Sequence, residues 1–191
     1  MGLFYSYLFK TNYKVIMFGF YAAGKTSIIN YLKNKIGDNT YDGGFGSFLY
    51  IEPKLNYKGL SVIEIDIGDC FGVRYYARRE GRNKMNQAFK DAKGIIFVID
   101  SCDIDSLEDY FFFEDFDYIL SLEDLKNLPI LILVNKQDLD KALSPEEIIK
   151  KIGFEKLKEK IWLAVGTSVK TGEGIEKGFD WMVSIIKKLN G

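Results

Sequence analysis

The chain contains no histidine in its 191 residues, which removes imidazole acid–base chemistry from the repertoire. Only two cysteines occur, Cys70 and Cys102, and on their own they make neither a zinc site nor a disulfide framework. No apolar run reaches the length needed to cross a bilayer, and with so few cysteines this points to a reducing, cytosolic compartment. No linker, repeat or low-complexity tract divides the sequence. With 47% hydrophobic residues and a formal net charge of −1, the chain can bury one sizeable core without a second domain, and no DNA partner is expected. Any hydrolysis must then run on positioning, metal charge and backbone donors, a set that suits phosphoryl transfer.

What is present is a series of short apolar runs. Strand-like runs at 15–18, 48–51, 60–65, 95–99, 130–134 and 161–165 alternate, in the later part, with helical segments near 25–33, 106–120, 144–152 and 175–189. This alternation predicts an α/β fold with a mostly parallel six-stranded sheet and helices on both faces. Asn56-Tyr57-Lys58-Gly59 predicts a hairpin turn at one edge, and Ser106-Leu107-Glu108-Asp109 and Ser144-Pro145-Glu146-Glu147 read as helix N-caps.

Gly19-Phe20-Tyr21-Ala22-Ala23-Gly24-Lys25-Thr26 fits the phosphate-cradling pattern G-x-x-x-x-G-K-[ST], between a strand-like and a helix-like segment as that motif requires. Backbone N–H groups of the loop, with Ala22, Ala23, Gly24 and the following Ser27 in the contact set, attract the α- and β-phosphates of a nucleotide. Lys25 reaches the β- and γ-phosphates, and the Thr26 hydroxyl can ligate Mg²⁺. Asn135-Lys136-Gln137-Asp138 follows the apolar run 130–134, where a buried parallel strand emerges at its carboxyl end. The Asp138 carboxylate can accept from both N1–H and the exocyclic amine of guanine, whereas adenine offers an acceptor at N1 and no 2-amino group. Asn135 would tie this base loop to the phosphate loop, and the Lys136 stem would cover one face of the base. Thr167-Ser168-Val169-Lys170 follows another strand and can offer the Val169 N–H to guanine O6.

Gly19 to Thr26, Asp66-Ile67-Gly68, Asn135 to Asp138 and Ser168 to Lys170, in this order, resemble the motifs of the small Ras-like GTPases. Ala22-Ala23-Gly24-Lys25-Thr26, Phe97-Val98-Ile99-Asp100-Ser101, Asn135 to Leu139 and Gly172-Glu173-Gly174 leading to Asp180-Trp181 resemble the Arf and Arf-like branch. The resemblance implies a P-loop small-GTPase domain over 13–191 behind an N-terminal segment 1–12, with GTP or GDP and Mg²⁺ as ligands. It implies a monomeric, reversibly membrane-associated switch in vesicle or membrane trafficking, cytoplasmic and peripheral on the cytosolic face of endomembranes. An exchange factor, a GTPase-activating protein and effectors would act through residues 38–51 and 69–86. Asp66 would hold Mg²⁺ through water, and Gly68 would join the nucleotide contacts. In the Arf family the N-terminal helix docks on the core in the GDP state and is released to membrane in the GTP state.

The N-terminus Met1-Gly2-Leu3-Phe4-Tyr5-Ser6 fits the myristoylation pattern, with Gly2 as acceptor. Leu3, Phe4, Tyr5, Tyr7, Leu8 and Phe9 would supply a second membrane signal, which a single acyl chain needs. Packing of these residues on the domain is the competing reading.

The switch segments depart from the family. Its D-x-G-G-Q becomes Asp66-Ile67-Gly68-Asp69-Cys70, so Asp69 puts a carboxylate beside the γ-phosphate and Cys70 replaces the amide that orients water. That describes a slow or defective hydrolase, or one that relies on a partner's groups. The following stretch is longer than its usual counterpart and basic, with Arg74, Arg78, Arg79, Arg82 and Lys84 interleaved with Tyr75 and Tyr76. An acidic partner, anionic lipid or RNA could use such a surface, and a solvated loop explains it equally well. For the switch threonine that ligates Mg²⁺ in the family, either Ser47 or Thr40 stands here. Two classes therefore stay open: a membrane-recruited guanine-nucleotide switch that hydrolyses GTP slowly, and a non-hydrolysing interaction protein with GDP as a structural cofactor. An ATP-using P-loop kinase is disfavoured, because it would leave Asn135 to Asp138 without a role.

Overall fold

The computed structural model describes residues 12–39, 53–66, 87, 89–103, 120–153 and 157–191, with the side chains of 66 and 124 outside that description. The strands are β1 (Tyr13–Gly19), β2 (Leu55–Tyr57), β3 (Leu60–Asp66), β4 (Gly94–Asp100), β5 (Ile130–Asn135) and β6 (Trp162–Gly166). Helices α1 (Lys25–Ile36), α2 (Pro145–Ile152) and α3 (Ile175–Asn190) and a 3-10 turn at Glu123–Leu125 complete the described elements. The strands form one sheet in the order β2-β3-β1-β4-β5-β6, with β2 antiparallel to β3 and every other pair parallel.

Continuous apolar runs such as Val15-Ile16-Met17-Phe18 and Ile130-Leu131-Ile132-Leu133-Val134 form these strands because both sheet faces are covered. Alternation then splits each run between two cores. Ile16 and Phe18 pack on the α2 side with Ile148 and Ile152, whereas Val15 and Met17 pack on the other side with Ile28 and Leu32 of α1 and Phe179 and Met182 of α3. From β1 the chain reaches β3 on one flank and then crosses to β4 on the other, so β1 marks the point where the strand order reverses. Ligands of open α/β sheets bind in the crevice at that point, outside the carboxyl ends of the strands.

Local chemistry fixes the ends of the elements. Ser144 caps α2 with a complete capping box, its hydroxyl accepting from Glu147 N–H while the Glu147 carboxylate accepts from Ser144 N–H at 2.8 Å. Helix α1 stops at Gly37, whose left-handed backbone at φ 69 lets Asp38 N–H return to the Lys33 carbonyl at 2.9 Å. The edge hairpin turns on two residues, Lys58 at φ 48 and Gly59 at φ 95, so Tyr57 pairs with Leu60. The expected four-residue turn is thereby shifted by one position. The strand paired with β3 is Leu55–Tyr57; the run at 48–51 lies outside the described residues, as does all but the last residue of the helix expected at 106–120. Tyr57 OH and Lys58 Nζ both donate to Asp180 Oδ1, at 2.9 and 2.6 Å, and tie the hairpin to α3. No helix among the described residues is long and apolar enough to cross a membrane.

Candidate functional site

The loop between β1 and α1 is closed by its own lysine. Lys25 Nζ, buried, donates to the carbonyls of Gly19 at 2.8 Å and Phe20 at 2.6 Å and so bends the loop into a ring. The first amides of a helix have no acceptor within it, and here no side chain caps them: the N-cap is Gly24, left-handed at φ 97. Those amides and the positive end of α1 make a cradle for an anion. Ala22 is also left-handed, at φ 58, while Ala23 is buried and Ser27 exposed on the first turn of α1.

Asn135, the last residue of β5 and 2% exposed, joins this loop to the other motifs. Its Nδ2 donates to the Ala23 carbonyl at 2.9 Å and its Oδ1 accepts the Thr167 hydroxyl at 3.3 Å. Its own carbonyl accepts both Ser101 N–H at 3.0 Å and Ser101 Oγ–H at 2.7 Å. The backbone then turns left-handed at Lys136, φ 67, and Gln137 N–H bonds the Thr167 carbonyl at 3.0 Å. This turn sends Lys136 back over the end of β4, where its Nζ pairs with Asp100 Oδ2 at 2.5 Å.

Asp138 follows on the same loop. Ser168 Oγ–H donates to Asp138 Oδ1 at 2.7 Å, and Lys170 Nζ, on a largely exposed side chain, lies 3.9 Å from Oδ2. The Ser168 hydrogen bond, against the opposing effect of burial, holds the Asp138 carboxyl below the usual carboxylate range, with Lys170 a lesser contributor. The result is an ionised acceptor with Oδ1 held by the Ser168 hydroxyl and Oδ2 facing the Lys170 ammonium. Ser168 also accepts Thr171 N–H at 3.2 Å and Gly172 N–H bonds the Ser168 carbonyl at 2.8 Å, which folds the Ser168–Lys170 turn around half-buried Val169.

The structure therefore gathers Ala22 to Ser27, Asn135, Lys136, Asp138 and Ser168 to Lys170 at one edge of the sheet. Gly2, Thr40, Ser47, Gly68, Asp69 and Cys70 lie outside the described residues, as does the Asp66 side chain, although the Asp66 backbone pairs with Gly19 across β3 and β1. Three partners escape the motif patterns. Asp100 as the lysine's counter-ion and Ser168 as the donor to Asp138 depend on loop paths that only the fold defines. Glu64, whose Oε1 accepts the Thr26 hydroxyl at 2.5 Å, does carry a signal, since it interrupts the apolar strand β3. The donors fit the ligands implied above: an uncapped helix start suits phosphate, and the Thr26 hydroxyl is a hard oxygen ligand suited to Mg²⁺.

Comparison with known proteins agrees with this geometry. The sequence profile of the ADP-ribosylation factor family matches residues 3–186. ADP-ribosylation factor-like protein 1 of Saccharomyces cerevisiae is 31% identical over 176 residues, which cover 92% of this chain and 88% of the yeast protein. A phosphate loop, a base loop and a sheet in this order, matched over nearly the whole chain, identify it as a small GTPase belonging to the ADP-ribosylation factor family.

Proposed function

We propose that this protein is a guanine-nucleotide switch of Arf-like type that binds GDP and GTP with Mg²⁺ in the groove between the phosphate loop and the base loop. The observation that carries the reading is the Asn135 bridge: one side chain holds the phosphate loop through Ala23 and the guanine-reading turn through Thr167, so both ends of a nucleotide are measured against the same residue. Ala22 to Ser27 would hold the phosphates, with Lys25 as the cation. Asp138 would accept from guanine, Val169 N–H would meet O6, and the Lys136 stem, anchored by Asp100, would line the base. Magnesium would supply charge neutralisation between phosphate oxygens and would be held by Thr26, by Asp66 through water, and by Ser47 or Thr40.

The domain spans 13–191, and residues 1–12 with a myristoylated Gly2 form a reversible membrane hook for a trafficking role. Residues 38–51 and 69–86 carry the exchange factor, the activating protein and the effectors. Hydrolysis is slow, because Cys70 cannot orient water as an amide does and Asp69 sets a carboxylate beside the γ-phosphate. The same two residues favour a second reading, a non-hydrolysing interaction protein that keeps GDP as a structural cofactor. Identifying the nucleotide released on denaturing the purified protein, and then timing single-turnover GTP loss, tests both. Release of GDP or GTP with slow, measurable turnover is the expected result. GDP with no turnover selects the second reading, and a released adenine nucleotide contradicts both.

A further inference from the structure

Glu64 is an acidic residue in the middle of an apolar strand, 5% exposed, and none of the roles above employs it. Its Oε1 accepts the Thr26 hydroxyl at 2.5 Å. Lys54 Nζ lies 3.2 Å from Oε2, an ion pair without the alignment of a hydrogen bond, and Oε2 is the one buried side-chain polar atom among the described residues that has no hydrogen-bond partner. A carboxylate taken out of water is costly unless cations and donors compensate it, and a single ammonium that fails to align leaves that compensation incomplete.

A hydroxyl has one hydrogen and two lone pairs. With its hydrogen committed to Glu64, Thr26 Oγ1 presents its lone pairs elsewhere, and the anionic acceptor increases the electron density on that oxygen. This is the relation that partners of metal ligands usually have with the ligands themselves: they fix orientation and raise basicity. Resting on the nucleotide reading above, we infer that Glu64 is a positioning residue of the magnesium site, which orients Thr26 by accepting its hydrogen and adds a buried negative charge that raises affinity for the divalent cation.

The competing role is purely structural, an ion pair that joins Lys54 to β3. The two differ in what responds to metal. Release of a fluorescent GDP analogue is measured against free Mg²⁺ for wild type, Glu64→Gln, Glu64→Met and Thr26→Ala, with melting temperatures taken in EDTA. Glu64→Gln keeps the shape and an acceptor for Thr26 while removing the charge, and with it the Lys54 ion pair, so the metal-dependent and metal-independent readouts are compared; Glu64→Met removes the acceptor as well. The expected result is that the Mg²⁺ concentration for half-maximal retention of the nucleotide rises about 10-fold or more in Glu64→Gln and further in Glu64→Met. Release in EDTA stays near wild type in Glu64→Gln, while its melting temperature in EDTA falls with the lost Lys54 pair. A half-point unchanged in Glu64→Gln, or release accelerated equally with and without Mg²⁺, overturns the inference. If wild type fails to bind the GDP analogue, or responds to Mg²⁺ no more than Thr26→Ala does, the nucleotide reading itself falls and takes this inference with it.

Discussion

At Gly24 the backbone is left-handed, φ 97, and so close to the base loop that an added Cβ would lie 2.3 Å from Asn135 Nδ2. Gly24→Ala is expected to cost about 1–2 kcal/mol in backbone strain and about 1 kcal/mol for the displaced Asn135–Ala23 hydrogen bond. Denaturant unfolding reads that loss, and GDP affinity should fall with it; wild-type stability in the variant would contradict the tight fit. Asp138 makes a prediction in pH. Its carboxyl is held below the usual range chiefly by Ser168, so the ionised acceptor persists at neutral pH and through mild acid, and is lost as pH falls through its lowered value. GDP binding should therefore hold until the pH passes below the ordinary carboxylate range, and Ser168→Ala should move that loss to higher pH. Binding titrations across pH decide it, with identical profiles for the two proteins as the contrary result. Asn135 and Asp138 were legible in the sequence because their spacing behind an apolar strand is itself the signal. Ser168 was legible as a member of the turn but not as the donor to Asp138, since a hydroxyl's partner thirty residues away is chosen by the fold.

Elements whose ends are set by local chemistry were the most legible. Ser144-Pro145-Glu146-Glu147 announced a capping box, and α2 begins there with both reciprocal bonds made. Glu147 is held below the usual glutamate range by Ser144 N–H first and by the Ser144 hydroxyl second. Its contribution to stability is thus fully present above that range and is lost as pH falls through its lowered value. Ser144→Ala should cost about 1 kcal/mol near neutral pH. Glu147→Gln should flatten the acid dependence of unfolding, and unfolding curves at several pH values check both. An acid dependence in Glu147→Gln equal to that of wild type would contradict the capping account. The edge hairpin was read one residue early, because Asn56 and Gly59 both carry turn preferences while the register of Tyr57 against Leu60 is set by pairing with β3. The partner strand Leu55–Tyr57 is too short to stand out as a periodic run. Its two apolar residues are buried by long-range packing, Tyr57 against Phe179 of α3, which sequence spacing does not reveal.

For the molecule as a whole, the order β2-β3-β1-β4-β5-β6 sets the phosphate loop at the point of reversal and brings the base loop and the Ser168 turn to the same edge. A chain of 191 residues thus has its phosphate loop and its base loop tied together by one side chain, Asn135. If Gly2 carries the acyl chain and the aromatic residues behind it supply the second signal, sedimentation with liposomes should need both and should increase with a GTP analogue. Equal sedimentation of Gly2→Ala and wild type, each co-expressed with a myristoyl transferase, would contradict the lipid hook. All of this depends on guanine being the base that the groove reads. The decisive measurement is calorimetric titration of wild type and Asp138→Asn with GDP, ADP and XDP in Mg²⁺. Wild type is expected to bind GDP far more tightly than ADP or XDP, and Asp138→Asn to lose GDP affinity and gain preference for XDP, whose 2-oxo group accepts from the new amide. Equal affinity of wild type for ADP and GDP, or unchanged GDP affinity in Asp138→Asn, would contradict it.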